Sequence, residues 1–340
     1  MAVNDKPTSF DIATLAGVSQ PTVSRALRGD RTVSEGTRKR IEAIARQLNY
    51  TVDKNASSLR RGKSNTLALL FFEDLLPDES WINPFFLSML GPILQTCAAR
   101  RYDLLTSFQQ LSDDWHVDYE DSRKADGIIL LGYGDYEVYR ARLEQLVAQG
   151  THFVRWGSVD PHALGTTIGC DNHQGGLDAG HHLTARGCRR IAFLGEASSR
   201  YPEFRDRYAG LGQAMREAGL PVDIGLHVDA LSTELSGYEA ATRLLARGLP
   251  FDAIFAASDL IAIGAMRALG EFGLEVPRDV AVIGFDDIPA ASLTRPPLTT
   301  VAQDYRRAGE VLVDALIGQI DSKPVKASLL APRLVVRATA

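Results

Sequence analysis

The chain has 340 residues, 45% apolar and 23% charged, an ordinary globular composition that excludes a disordered or fibrous chain. At about 100–200 residues per domain, that length suggests two or three domains. The formal net charge is −5, yet residues 1–63 hold 12 Lys and Arg against 6 Asp and Glu, a net of +6 on a body of net −11. Such a head points to a polyanion partner for the head alone, or to a merely solvated basic surface.

Residues 8–48 read as three short helices. The first covers Ser9 to Leu15, with Ile12, Ala13 and Ala16 at helical spacing and Gly17 as its stop. Ser19 sits where an N-cap belongs, and Pro21 falls in the first turn, where its missing N–H costs nothing. The second helix runs Gln20 to about Leu27, before Gly29. The third starts near Ser34 and carries Ile41, Ile44, Ala45 and Leu48 on one stripe. Residues 49–64, NYTVDKNASSLRRGKS, form a polar linker in which a short helix would be marginal alone.

From Asn65 the texture changes. Apolar runs alternate with amphipathic stretches: TLALLFF, Phe85–Arg100, YDLLTSF, GIILL, Tyr139–Ala148 and HFVRW. A second round brings RIAFLG, Arg207–Ala218, Tyr238–Ala246, DAIFAA, Ile261–Phe272 and DVAVIGF. Alternating strands and helices predict parallel sheets covered on both faces, here in two similar α/β lobes. Ligands in such folds bind outside the carboxyl ends of the strands, so two facing lobes would share one cleft. The fold class expected is α/β, with an all-α head on residues 1–50, a linker over 51–64 and a two-lobed core with parallel sheets over 65–340.

The motif DIATLAGVSQPTVSRAL has the form of a helix-turn-helix, whose second helix enters the DNA major groove. There Gln20 can face adenine and Arg25 can fork onto guanine. Ser19, Thr22 and Ser24 are short hydroxyls suited to phosphate. An ordinary three-helix packing unit is the competing reading.

AGVSQPTVSRAL followed by TVSEGTRKRIEAIARQLNY resembles the head of LacI/GalR family transcription regulators, and the match runs the whole chain. The resemblance implies a hinge helix between the head and a core like that of periplasmic sugar-binding proteins. It also implies a homodimer on near-palindromic double-stranded operator DNA, and a small effector, a sugar or sugar phosphate, in the cleft. Leu59 corresponds to the family's hinge leucine, a minor-groove wedge, and Ala56 to the small residue before it; an apolar wedge unstacks a base step. Packing of Leu59 on its own domain is the alternative. Two departures stand out. Thr51-Val52 replaces a proline common in the family, and Pro21 at a base-reading position offers only apolar contact. Family tetramers carry an extra C-terminal helix; the chain ends at LVVRATA, so a dimer is expected.

In the cleft, the resemblance implies that Phe85 and Phe86 line the pocket and that Arg207 forks onto ligand hydroxyls or a carboxylate. Ser258 and Asp259 stand where the family often has Asn-Asp, and Ser232 or its neighbour Leu231 fills another pocket position. Trp156 could stack on a sugar face, and Asp286, after VIGF, can accept from sugar hydroxyls. Four of them have a structural alternative: Phe86 as core, Arg207 in an ion pair, Asp286 as a loop cap, Asp259 as the cap of the helix after it.

Signals for other classes are weak. His181 and His182 are adjacent and face different ways, and His152, His162 and His173 lack ligand spacing. GYGDYE at 132–137 lacks the third glycine of a dinucleotide fingerprint. Cys97, Cys170 and Cys188 make neither a disulfide framework nor a metal pair. No apolar run reaches the ~18 residues of a membrane span, and the first ten residues do not read as a secretory signal. The expectation is a cytoplasmic repressor of carbohydrate-utilisation genes, not an enzyme, with no cofactor, metal or membrane partner. The alternative is a cytoplasmic sugar-binding or sugar-processing protein without a regulatory role.

Overall fold

The computed structural model describes residues 7–27, 29–50, 63–72, 82–132, 134–159 and 164–340, Leu111 by its backbone alone. The chain forms two compact units, Met1–Ser64 and Asn65–Ala340.

In the first unit α1 spans Ser9–Ala16, α2 Gln20–Leu27 and α3 Glu35–Gln47. Thr8 and Asp11 close a capping box at the start of α1: Thr8 N–H donates to Asp11 Oδ2 at 2.7 Å, and Asp11 N–H to Thr8 Oγ1 at 3.4 Å. The Thr8 N–H and the Thr8 hydroxyl, both donating to Oδ2, hold the Asp11 carboxyl below the usual carboxylate range. Gly17 ends the helix at φ +60°, a left-handed turn that a side chain would strain. Ser34 caps α3 by accepting from Thr37 N–H. One small core of Ile12, Ala16, Val23, Ala26, Ile41 and Ala45 joins the three helices.

The second unit is built on two six-stranded sheets. The strands are β1 Thr66–Phe71, β2 Asp103–Phe108, β3 Ile128–Leu131, β4 Phe153–Trp156, β5 Thr166–Cys170, β6 Ile191–Leu194, β7 His227–Val228, β8 Ala253–Ala256, β9 Ala281–Asp286, β10 Thr299–Ala302, β11 Ser328–Leu330 and β12 Arg333–Val335. The first sheet has the order β2-β1-β3-β4-β5-β11 and the second β7-β6-β8-β9-β10-β12. All neighbours are parallel except β10 and β12, where Thr300 stands opposite Val335. The central strands are buried on both faces, as near-continuous apolar runs such as IILL and AIFA require.

The chain crosses between the lobes three times. After β5, helix Asn172–Ala185 packs on helix Pro202–Glu217 in the second lobe. After β10, helix Tyr305–Ile320 returns to pack on helix Pro84–Ala99 in the first. The third crossing joins β11 to β12.

Neither crossover helix is among the elements expected from the sequence, and Asn172–Ala185 has no apolar stripe to mark it. Asn172–Ala185, NHQGGLDAGHHLTA, has the glycines of a loop, but they serve close approach. A Cβ on Gly176 would lie 2.1 Å from Arg207 O, and one on Gly210 2.1 Å from His173 O. Helices Glu234–Ala246 and Asp259–Glu271 cross in the same way: a Cβ on Gly237 would lie 2.3 Å from Ile261 O, and one on Gly264 2.0 Å from Glu234 O. Backbone meets backbone at both crossings.

Helix starts also differ from the sequence reading. The helix expected over Arg207–Ala218 begins at Pro202, a first-turn proline, and that expected over Tyr238–Ala246 begins at Glu234, capped by Thr233. Each first turn holds one large apolar residue, Phe204 and Leu235, too few to show as a stripe.

Candidate functional site

Two surfaces hold the residues singled out by sequence. In the head, Val23 and Ala26 anchor α2 in the core, which turns its opposite side outward. Ser19, Pro21 and Arg25 are exposed; Gln20, Thr22 and Ser24 are half-buried. Arg25 makes no ion pair among the described residues, so its five donors are available to a partner. Gln20 Nε2 instead donates to Ser9 Oγ at 3.1 Å, and Ser19 Oγ lies 2.9 Å from Thr22 Oγ1. Reading adenine with both amide atoms therefore requires Gln20 to leave Ser9. Ala56 and Leu59 lie outside the described residues.

The cleft of the second unit lies at the carboxyl ends of the strands. Asn83 opens helix Pro84–Ala99: its Oδ1 accepts from Phe85 N–H at 2.9 Å, which sets the helix start. Its Nδ2 reaches across the lobes to Ser232 Oγ at 2.9 Å, and Ser232 Oγ donates to Ser258 Oγ at 2.9 Å. Beside this polar row stands an aromatic wall. Phe85 and Phe86 meet edge to face at 5.2 Å, and Phe85 lies 6.0 Å from Trp156, all three buried. Such rings offer flat apolar faces with polar groups near them, the usual lining of a small-molecule site.

Arg207 is fully buried. Its Nε donates to Asn172 Oδ1 at 2.9 Å, Nη1 donates to Ala257 O, and Nη1 lies 3.8 Å from Asp286 Oδ1. The guanidinium also stacks on Phe285, 3.7 Å from the ring centre. Asp286 ends β9 at φ +114° and accepts from Gln303 Nε2 at 2.6 Å. The ion-pair alternative for Arg207 is thus real, with both groups of the pair buried.

Asp259 belongs to the lobe's frame. Its carboxylate accepts from the Thr300 hydroxyl and from Ile288 N–H at 2.8 Å, tying helix Asp259–Glu271 to β10 and to the loop after β9. Burial, with the Asp286 charge adding to it, pushes its carboxyl well above the usual range. The cap of that helix is Ser258, whose Oγ accepts from Ile261 N–H, and not Asp259.

Asn83, Asn172, Gln303 and Arg155 are the cleft residues that sequence reasoning missed. A readable signal existed for two of them: Asn83 is an Asn-Pro helix start, and Asn172 opens the helix after β5. Gln303 follows β10 with no pattern of its own, and Arg155 interrupts an apolar strand. The three cysteines are free; burial pushes Cys97 up to about 11 and Cys170 to about 12, so both stay thiols. His181 pairs with Glu217 at 2.7 Å and His152 with Glu120 at 3.1 Å, well apart from the cleft row in sequence. No group of three or more His, Cys, Asp or Glu able to hold a metal occurs among the described residues, and no described helix is long and apolar enough to cross a membrane.

Comparison with known proteins places both units. Residues 10–53 match the family described as bacterial regulatory proteins, lacI family, and residues 181–340 a periplasmic binding protein-like domain. The ribose operon repressor of Escherichia coli K12 is 31% identical over 316 residues, covering 92% of this chain and 93% of that protein. A lac repressor dimer bound to operator and the anti-inducer ONPF is 26% identical with a TM-score of 0.82, covering 98% of this chain and 99% of that one. The transcriptional regulator CelR in complex with cellobiose is 28% identical with a TM-score of 0.73, covering 98% and 100%. With a basic three-helix head, two parallel-sheet lobes and relatives matched almost end to end, this chain belongs to the LacI family of bacterial transcription regulators.

Proposed function

We propose that the protein is a homodimeric repressor of carbohydrate-utilisation genes, whose affinity for a near-palindromic operator is set by a sugar-like effector held between the lobes. The observation that carries this reading is the cleft itself: a row of Asn83, Ser232 and Ser258 spanning both lobes, with Phe85 and Trp156, and with the Arg207–Asp286 pair bonded at Ala257, the residue before Ser258. Hydroxyls both donate and accept, and this wall offers both roles next to rings on which a sugar face can stack. Because groups from both lobes meet there, an effector binds the two lobe arrangements differently, and only that difference shifts DNA affinity.

In the head, α2 lies in the major groove. Arg25 reads guanine, Gln20 adenine, and Pro21 makes an apolar contact, while Ser19, Thr22 and Ser24 hold phosphates. Leu59, with Ala56 before it, forms the minor-groove wedge of the linker, and the chain works in the cytoplasm. The relatives support this reading: one is named for the ribose operon, one is seen with cellobiose, and one as a dimer on its operator. The basic head counts against a sugar-binding protein without a regulatory role.

The test is fluorescence anisotropy of genomic promoter fragments with the full chain, with and without a panel of sugars, at two salt concentrations. Affinity should fall steeply with salt, as release of counterions from DNA demands, and change with one sugar class. Binding that ignores salt, or that no sugar alters, rejects the corresponding half of the proposal.

A further inference from the structure

The core buries two arginines in the cleft, and they are provided for very differently. Arg207 has an amide oxygen, a backbone carbonyl, a carboxylate and an aromatic face. Arg155, on β4 and only 7% exposed, has no hydrogen bond and no ion pair among the described residues, and its Nε is buried without a partner. The contact it keeps is the ring of Tyr136, 5.3 Å below the guanidinium.

Among the described residues, its neighbours do not supply the missing charge. Tyr139 is within electrostatic reach, but burial raises its phenol far into the protonated range, and its hydroxyl is already given to Gln109 Oε1. Glu203, across the lobe boundary, is the nearby carboxylate among the described residues. Its Oε1 accepts from Ser158 N–H at 2.7 Å, and the group is not within ion-pair distance of Arg155. The two are separated at Gly157, where a Cβ would lie 2.9 Å from Arg155 Nη1 and 3.0 Å from Glu203 Oε1. Glycine keeps that gap open. A buried guanidinium without a counter-charge is costly unless something completes it.

A recess opens at this point, lined by Gly132, Gly134, Tyr136, Arg155, Trp156 and Glu203 among others, with a volume of about 30 Å³. At roughly 10–15 Å³ per water-sized group, that is room for two or three oxygens. It adjoins Trp156, so a ligand on the aromatic wall reaches both. We propose that Arg155 is the anchor for a carboxylate of the effector, so that the ligand is an acid sugar of the aldonate or uronate class and not a neutral one. The inference rests on the cleft being the effector site, and adds its charge. Planar carboxylate geometry matches the guanidinium fork, and the recess has room for both of its oxygens.

The experiment is titration calorimetry on the full chain without DNA, using gluconate, glucuronate and galacturonate against glucose, galactose and glucose 6-phosphate. At least one acid should bind ten-fold or more tighter than its neutral parent and than the phosphate ester. Arg155→Met should erase that preference while leaving the neutral sugars within about three-fold, and Arg155→Lys, which keeps the charge in case the Met variant fails to fold, should retain part of it. Tighter binding of a neutral sugar, of the phosphate ester, or of nothing in the panel overturns the carboxylate assignment, as does an Arg155→Met variant that still prefers the acid. Salt-dependent operator binding measured separately tells a failure of this inference from a failure of the regulator reading.

Discussion

Replacing Arg207 by alanine is the sharpest test of how the second lobe is held. The change removes the donors to Asn172 and Ala257, the stack on Phe285, and the counter-charge of Asp286, which is itself 2% exposed. Breaking a buried pair from one side costs about 3–5 kcal/mol, because the other charge stays behind without compensation. At the ~2–4 °C per kcal/mol of large domains, melting of the full chain should fall by about 6–20 °C. Asp286→Asn in the same chain removes the stranded charge, so the double variant should melt higher than Arg207→Ala alone. The assay is a thermal melt followed by circular dichroism, on wild type, both single variants and the double. A fall of under ~2 °C for Arg207→Ala would refute the reasoning, since it would mean less than about 1 kcal/mol at a site that should supply several. So would a double variant less stable than either single.

Arg25→Ala should cost about 1–3 kcal/mol on the cognate operator and relax specificity at one base; equal losses on specific and random DNA in anisotropy titrations would make it a phosphate contact. Gly210→Ala should destabilise the core by about 1–3 kcal/mol in urea unfolding, through its clash with His173 O, whereas Gly270→Ala, with nothing within 4 Å of the new Cβ, should gain about 0.5–1 kcal/mol. Asp259 titrates higher in the fold than in the unfolded chain, so its contribution is present at low pH and lost as pH rises through the raised value. Asp259→Asn should therefore flatten the fall in melting temperature on the alkaline side of the usual carboxylate range; an unchanged pH profile would show that Asp259 is ionised in the fold. Leu59→Ala should reduce operator affinity and operator bending together in circular-permutation gels, with effector affinity kept; normal bending would make Leu59 a packing residue.

The head was legible because its signals are local. A cap, a glycine and a stripe of apolar residues fix α1 to α3 within a few turns, and the observed bounds fall within a residue or so of those read from Ser9, Gln20 and Ser34. The lobes were legible as a class from their apolar runs. The helix Asn172–Ala185 was not, because it is shaped by a partner helix 30 residues away and shows only glycines locally. Helix Tyr305–Ile320 did carry a signal, an Asp304 cap before a stripe through Leu312, Val313 and Leu316. In the cleft, Phe85, Trp156, Arg207, Ser232, Ser258 and Asp286 come together as a group. Asp259 resembles a ligand residue in sequence but spends its oxygens on Thr300 and Ile288, which no spacing rule could reveal. Gln20 likewise looks like a base reader, while its bond to Ser9 depends on how α1 meets α2.

The two glycine crossings have a mechanical consequence. The right-handed crossover rule sets helix Pro202–Glu217 on one face of the second sheet and helices Glu234–Ala246 and Asp259–Glu271 on the other, so both faces carry such a seam. Helices whose backbones touch leave no side chains between them to change rotamer, and sliding one past the other would drive carbonyls into Cα atoms. The lobe is therefore stiff against shear, the small gliding of packed helices by which many proteins absorb a ligand. Compliance is left to the three short crossings, at 170–172, 302–305 and 330–333. Rotation about them moves each atom in proportion to its distance from the axis. A sub-ångström adjustment at the cleft thus arrives at the far end of either lobe enlarged, as the tip of a lever outruns the hand near its fulcrum.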